Sequence, residues 1–206
     1  MTTMTQHSTT APRRGRPGND RGDVITAAVS LFNQHGYEAT TVGMIAEQLG
    51  VSKSAIYHHV ASKEELLASA LDRALSSLEG MLETANSSGR SPLERLEYVL
   101  RGTVQVLIDD LESVTLLLRL RGNTDLERQA LQRRRNFNVA VAELVTEADD
   151  TGALRADIDP SVATRYVFGM VNSITEWYRP GGALSAEQIG DQIVNLVFNG
   201  LRPRSH

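Results

Sequence analysis

The chain has 206 residues, 41% hydrophobic and 22% charged, values that allow a full hydrophobic core and argue against wholesale disorder. It has no cysteine, which removes disulfides, thiolate zinc sites and a cysteine nucleophile and fits a reducing, cytoplasmic setting. The net charge of −4 is unevenly spread: residues 1–63 hold six Lys/Arg against four Asp/Glu, and the rest hold 15 against 21. A mildly basic front (+2) and an acidic rear (−6) suit a protein that presents one end to phosphate.

In chain order, residues 1–18 are polar and basic without periodicity, and read as a flexible arm rather than a secretory signal. Asn19 or Asp20 can cap a helix with the apolar face Val24, Ala27, Ala28, Leu31 and Phe32, and Gly36 is expected to close it with a left-handed cap. Thr41 can cap a short helix carrying Ile45, Ala46 and Leu49, stopped by Gly50. Ser52 can cap another from Lys53 to His59. Ser62 starts a long helix over about 63–85, with Glu64 and Glu65 where the helix dipole favours them. After the break Asn86-Ser-Ser-Gly-Arg-Ser-Pro, helices are predicted over about 93–109, 112–121, 125–150, 160–178 and 186–201. The reading is an all-α protein with a small front unit and a larger bundle. The longest apolar runs, such as Val114 to Leu118, are far too short to span a bilayer, so no membrane partner is expected.

Residues 41–60 have helix-turn-helix spacing. Ala46 is small where the second helix must cross, Gly50 allows the sharp turn, Val51 plugs the corner, and Ile45, Leu49 and Ile56 supply a shared core. The second helix then shows Lys53, Ser54, Ala55, Tyr57, His58 and His59 to solvent, groups that fit a major groove. The competing reading is a helical hairpin that binds nothing. The match is longer than that turn: Ala-Ala-Val-Ser-Leu-Phe (27–32), His-Gly-Tyr-Glu-Ala-Thr-Thr-Val (35–42) and Ser-Lys-Glu-Glu-Leu-Leu (62–67) flank it. Over about residues 20–67 the chain resembles the TetR family, the tetracycline-repressor-like regulators.

The resemblance implies a three-helix DNA-binding head (19–63) after the arm (1–18), and a helical body for effector binding and dimerisation (64–206). It implies an operator of double-stranded DNA, a homodimer, a small-molecule effector and no cofactor. Carried over by position, Thr41 and Lys63 should bind phosphate, and Ser52, Lys53, Ser54 and Ala55 should approach bases or backbone. Tyr57 and His58 should contact phosphate or bases, and His59 should hold the backbone. Ser54 replaces a frequent glycine and Val60 a frequent phenylalanine, which leaves base preference and head packing open. In the arm, Arg-Gly-Arg-Pro resembles an AT-hook core. Arg13, Arg14 and Arg16 then either enter a minor groove or belong to a plain basic tail.

In the body, apolar residues at helical spacing fit ordinary core, and the resemblance implies a cavity among them. Val104, Leu107, Leu118, Phe137, Val141, Met170 and Ile174 are candidate walls. Arg119, Arg121 and Arg134 are candidate partners for phosphate or carboxylate, with surface pairing of the arginines to Asp125, Glu127 or Glu143 as the alternative. Residues 168–182 resemble a branch of the family that senses acyl-coenzyme A thioesters. Tyr166, Gly169, Ser173, Ile189, Ile193, Leu196 and Val197 are candidate dimer contacts, with core packing as the alternative.

An enzyme is disfavoured, because no metalloprotease helix motif, phosphate-binding loop or nucleophile elbow is present. Adjacent His58 and His59 point about 100° apart on a helix, a poor arrangement for one metal, and no metal site is expected. An architectural DNA-binding protein is disfavoured by the acidic body and by the well-formed recognition helix.

Overall fold

A computed structural model of the chain describes residues 20–155, 157 and 159–201. The predicted arm, with Arg13, Arg14 and Arg16, lies outside the described residues. Ten helices and no strands occur among them: α1 Arg21–His35, α2 Val42–Leu49, α3 Lys53–Tyr57, α4 Lys63–Ser87, α5 Pro92–Asp109, α6 Leu111–Arg119, α7 Asp125–Asp150, α8 Pro160–Asn172, α9 Ile174–Trp177 and α10 Ala186–Leu201. No helix is long and apolar enough to cross a membrane among the described residues.

Local signals set most of these boundaries. Asp20 and Asp23 cap each other's backbone at the start of α1, and Ser91 with Glu94 does the same for α5. Ser62 accepts from Glu65 N at the head of α4, and Thr124 from Glu127 N at the head of α7. Gly36 differs from expectation. Its φ of 84° is positive, but ψ of 155° makes it an extended turn rather than a left-handed helical cap. The predicted helix 160–178 is split at Ser173. There the Ser173 hydroxyl donates to Met170 O at 2.7 Å and Thr175 Oγ1 donates to Asn172 O at 2.8 Å, competing with amides for the carbonyls of that turn.

The helices share two apolar cores. One joins α1, α2, α3 and the first half of α4 to Leu116 and Leu117 of α6 and Ala130 of α7. The other joins the second half of α4 to α5, α7, α8 and α10. Helix α4 lies in both, presenting Leu66, Leu67, Ala70 and Leu71 to the first and Leu78, Met81, Leu82 and Ala85 to the second. At 1.5 Å per residue it is a strut of roughly 37 Å running from head to body. Arg133 of α7 ties down its middle, donating to Asp72 at 2.8 Å and to Glu79 at 2.7 Å. These bonds hold both carboxyls below the usual range. Arg133 therefore pairs across to α4 rather than with an acid of its own helix.

Candidate DNA-binding head and ligand cavity

Helices α2 and α3 meet at the turn Gly50-Val51-Ser52. Gly50 is left-handed (φ 66°, ψ 33°), a conformation that glycine adopts without strain. Val51 N donates back to Ala46 O at 2.9 Å. Thr41 Oγ1 accepts from Met44 N at 3.3 Å and Ser52 Oγ from Ala55 N at 3.1 Å, so two hydroxyls expected at DNA also cap the two helices. Helix α3 has only five residues, two fewer than the spacing predicted, and Ile56 is its one buried side chain.

Opposite Ile56, α3 presents a polar and aromatic face. Ser52, Lys53, Ser54, Tyr57 and His58 are exposed, Tyr57 to 54%. Ala55 and His59 are half-buried, while Val60 is core. The stem of Lys53 crosses Gly43, where a Cβ would come within 2.7 Å of Lys53 Cε. This glycine lets the lysine lie beside the start of α2, next to Thr41. The geometry joins a cation, hydroxyls and a ring on one short, protruding helix. It can meet phosphates and base edges together.

Lys63 is placed differently from the phosphate contact expected of it. Its ammonium donates to Tyr37 O at 2.8 Å, Thr40 O at 3.0 Å and Glu38 O at 3.4 Å, and lies 4.2 Å from the Tyr37 ring centre. Three donors meet three carbonyls, which leaves none for DNA. The lysine clamps the α1–α2 turn onto α4. Beside it, buried Thr40, which the sequence reading passed over, donates to Gly36 O at 2.8 Å. Burial, and then the charges of Glu64, Glu38 and Glu127, push the Tyr37 hydroxyl above its usual pKa, so Tyr37 is neutral here. Lys63→Met should lower the stability of the head by about 1–3 kcal/mol, because carbonyls lose a charged donor. Urea unfolding followed by tyrosine fluorescence checks this, and an unchanged midpoint would count against the clamp.

The body contains a cavity of about 450 Å³ between α5, α6, α7, α8 and α9. Of the candidate walls, Leu107, Leu118, Arg119, Arg134 and Phe137 line it. Val104, Val141 and Ile174 do not. They are fully buried in the second core, and Met170 packs at its edge. Arg121 borders a separate cleft between the α1–α2 turn and the end of α6. The aromatic wall is an edge-to-face pair, Phe137 and Phe168, with centroids 5.8 Å apart. Phe168 and Asn138 were not singled out in the sequence, although Asn138 sits one helical turn from Arg134.

Helices α8 and α10 bury one face and expose the other. Ile189, Ile193 and Val197 are directed into the chain's own core at 2%, 7% and 6% exposure, which corrects their assignment to a dimer contact. Tyr166, Gly169 and Ser173 do face solvent, together with Val162 and Trp177, and Leu196 stands out from α10.

Two family models cover this architecture. Residues 24–70 match the bacterial regulatory proteins of the tetR family, and residues 89–201 match the tetracyclin repressor-like C-terminal domain. The chain belongs to the TetR family. It is 30% identical to the HTH-type transcriptional repressor KstR2 of Mycobacterium tuberculosis H37Rv, over 91% of this chain and 95% of that one. Among solved structures, a TetR-family regulator from Streptomyces coelicolor A3 superposes with a TM-score of 0.79 at 46% identity, covering 97% of both chains. AibR in complex with isovaleryl coenzyme A and operator DNA superposes with a TM-score of 0.71 at 26% identity, covering 86% of this chain and 97% of that one. TetR-family chains are DNA-binding transcriptional regulators rather than enzymes, and the helix-turn-helix of α2 and α3 is the DNA-binding element of this one. Between the two matched regions lie residues 71–88, which are the rest of α4 and its C-cap Ser88, in the strut between the two cores.

Proposed function

We propose that this TetR-family regulator is a repressor that binds a near-palindromic operator as a homodimer. It is released by a small amphipathic acyl compound, an acyl-CoA thioester or a related lipid or aromatic acid. The observation that carries this reading is Leu117. It is buried in the core of the DNA-binding head and also lines the body cavity, so a ligand there touches the packing that positions α3. The heads occupy residues 19–63 and the bodies 64–206. Ser52, Lys53, Ser54, Tyr57 and His58 enter the major groove and Thr41 meets phosphate, while Arg13, Arg14 and Arg16 add salt-dependent affinity from the arm.

Two half-sites on one DNA face lie roughly 34 Å apart, so a dimer binds only when its heads match that separation. Ligand in the cavity favours a head arrangement that does not match, which is release by population shift. The name of KstR2 as a transcriptional repressor supports repression, and the AibR complex, which holds an acyl-CoA and an operator, supports operator binding and an acyl ligand.

The test is fluorescence anisotropy against DNA from upstream of the protein's own gene and against scrambled DNA, at two salt concentrations. Sequence-selective binding that persists at the higher salt is expected, and Tyr57→Ala should weaken it about tenfold or more by removing a base or phosphate contact. Equal, salt-fragile binding to both DNAs would replace the operator reading with an architectural one. An unchanged affinity for Tyr57→Ala would reject that contact.

A further inference from the structure

Arg133, which ties α7 to α4, is paired with the carboxylates of Asp72 and Glu79. Its neighbour Arg134 is not. About 100° further around α7, it turns into the cavity, is half-buried, and has no carboxylate within ion-pair distance among the described residues. Its bond within the protein is from Nη1 to Leu117 O at 3.1 Å. A guanidinium carries five N–H donors and stays charged in proteins, so most of its capacity is unspent. Burial, and then the charge of Arg135, press its pKa downward, the sign of a cation lacking a counter-ion.

The surroundings select the missing partner. Asn138, one turn along α7, and Asn172, at the end of α8, line the same cavity, and neither side-chain amide has a hydrogen bond among the described residues. The one carboxylate on the wall, Glu176, is exposed and lies beyond ion-pair distance of Arg134. A second guanidinium on the wall, Arg119, reaches out to Asn33 O of α1 at 3.4 Å, and the remainder is largely apolar, with Leu107, Leu118, Phe137 and Phe168 among its members.

We propose that Arg134 is an anion anchor, and that the effector is a free carboxylic acid with an apolar body whose carboxylate seats on Arg134. This rests on the reading of the cavity as the effector site, and narrows the acyl class given above. A carboxylate matches the planar guanidinium fork with two parallel bonds, and the asparagine amides can donate to the same group. In an acyl-CoA the thioester carbonyl is neutral, and the negative charge sits on phosphates at the far end of the pantetheine arm. An acyl group seated between the apolar walls therefore brings no counter-charge to Arg134, whereas a free acid brings its own. The anchor also reports on occupancy. Its tie in the protein is the carbonyl of Leu117, the residue shared by cavity and head core, so a carboxylate that draws Arg134 away loosens the end of α6 against the head.

Isothermal titration calorimetry on the full-length protein tests this with octanoate, 3-phenylpropanoate, octanamide, octanol and octanoyl-CoA, for wild type, Arg134→Gln and Arg134→Lys. At least one of the two acids should bind wild type, with octanamide and octanol weaker than octanoate or undetectable. Arg134→Gln should weaken the acid about tenfold or more and abolish the preference for acid over amide, and Arg134→Lys should restore part of it. Melting of the ligand-free variants should change little, since Arg134→Gln trades the one bond to Leu117 O for relief of an unpaired half-buried charge and Arg134→Lys conserves the charge. A purely structural arginine would lower melting and leave the acid-to-amide ratio alone. Failure of both acids to bind, equal binding of octanoate and octanamide, or a preference that survives in Arg134→Gln would overturn the anchor. Octanoyl-CoA separates the two readings: tight binding indifferent to Arg134→Gln overturns the anchor while leaving an acyl effector in place.

Discussion

Ile56→Ala is expected to abolish specific operator binding while leaving the body folded. Helix α3 has five residues, far below the length at which a helix is stable in water on its own. Its Ser52 cap and the turn at Gly50 orient it, but Ile56, 1% exposed, is the side chain that packs it into the core of the head. Truncation removes the buried side chain beyond Cβ and leaves a cavity, at a cost of about 2–5 kcal/mol. The loss falls on the first core, which is small, while the second core has no contact with Ile56. Circular dichroism should therefore show most helicity retained and a lower onset of melting, and size-exclusion chromatography an unchanged elution volume. Anisotropy against a DNA that wild type binds selectively should show that selectivity gone. A variant with wild-type affinity and wild-type melting would mean that α3 is held by something other than Ile56.

The contrast between Ile56 and Ile193 shows what sequence could supply. Both lie on clear apolar stripes, and for Ile56 the neighbouring turn chemistry leaves one direction for the stripe to face. Caps and turns are local, so Asp20, Thr41, Gly50, Ser52 and Ser62 were legible as boundaries from a few residues each. Ile193 belongs to a helix whose stripe could cover either the chain's own core or a second copy, and periodicity is the same in both cases. The ambiguity was settled only by the packing of α10 against α5, which turns Ile189, Ile193 and Val197 inward and leaves Leu196 outside.

The cavity was hard to read for a related reason. Residues that wall a cavity and residues that fill a core have the same composition, so Val104 and Val141 were indistinguishable from Leu107 and Phe137 until the helices were assembled. Charged residues carried the same ambiguity. Arg133 and Arg134 are adjacent in sequence, yet one helical step sends the first to the carboxylates of α4 and the second into the cavity. Lys63 was misplaced because its position after a capping serine says where its backbone begins a helix. It says nothing of the three carbonyls that the α1–α2 turn brings to it from 23 to 26 residues away.

Tyr166→Asp combined with Leu196→Asp is expected to yield a monomer with operator affinity reduced about 100- to 10,000-fold. Val162, Tyr166 and Gly169 follow one another at spacings of four and three along α8, the pattern of one helix face, and exposed Ser173 and Trp177 continue the spacing across the break into α9. That face is uncovered. Tyr166 is 72% exposed, Leu196 of α10 64% and Trp177 50%. Large side chains left outside both cores, beside glycine and serine that permit close approach, fit a two-fold contact with a second copy. Across such an axis every residue occurs twice, so two substitutions place four carboxylates in one interface, where they repel one another and lose water. In the free chain the same positions are solvated, so the monomer's own melting should move little. Sedimentation velocity reads the mass directly. Val139→Asp, on an equally uncovered apolar residue of α7 outside the stripe, is the control that should keep both mass and affinity. A double variant that sediments as wild type would move the dimer contact to another face. A clean monomer that still binds the operator tightly would show that one head suffices, and would remove head separation as the quantity through which a ligand acts.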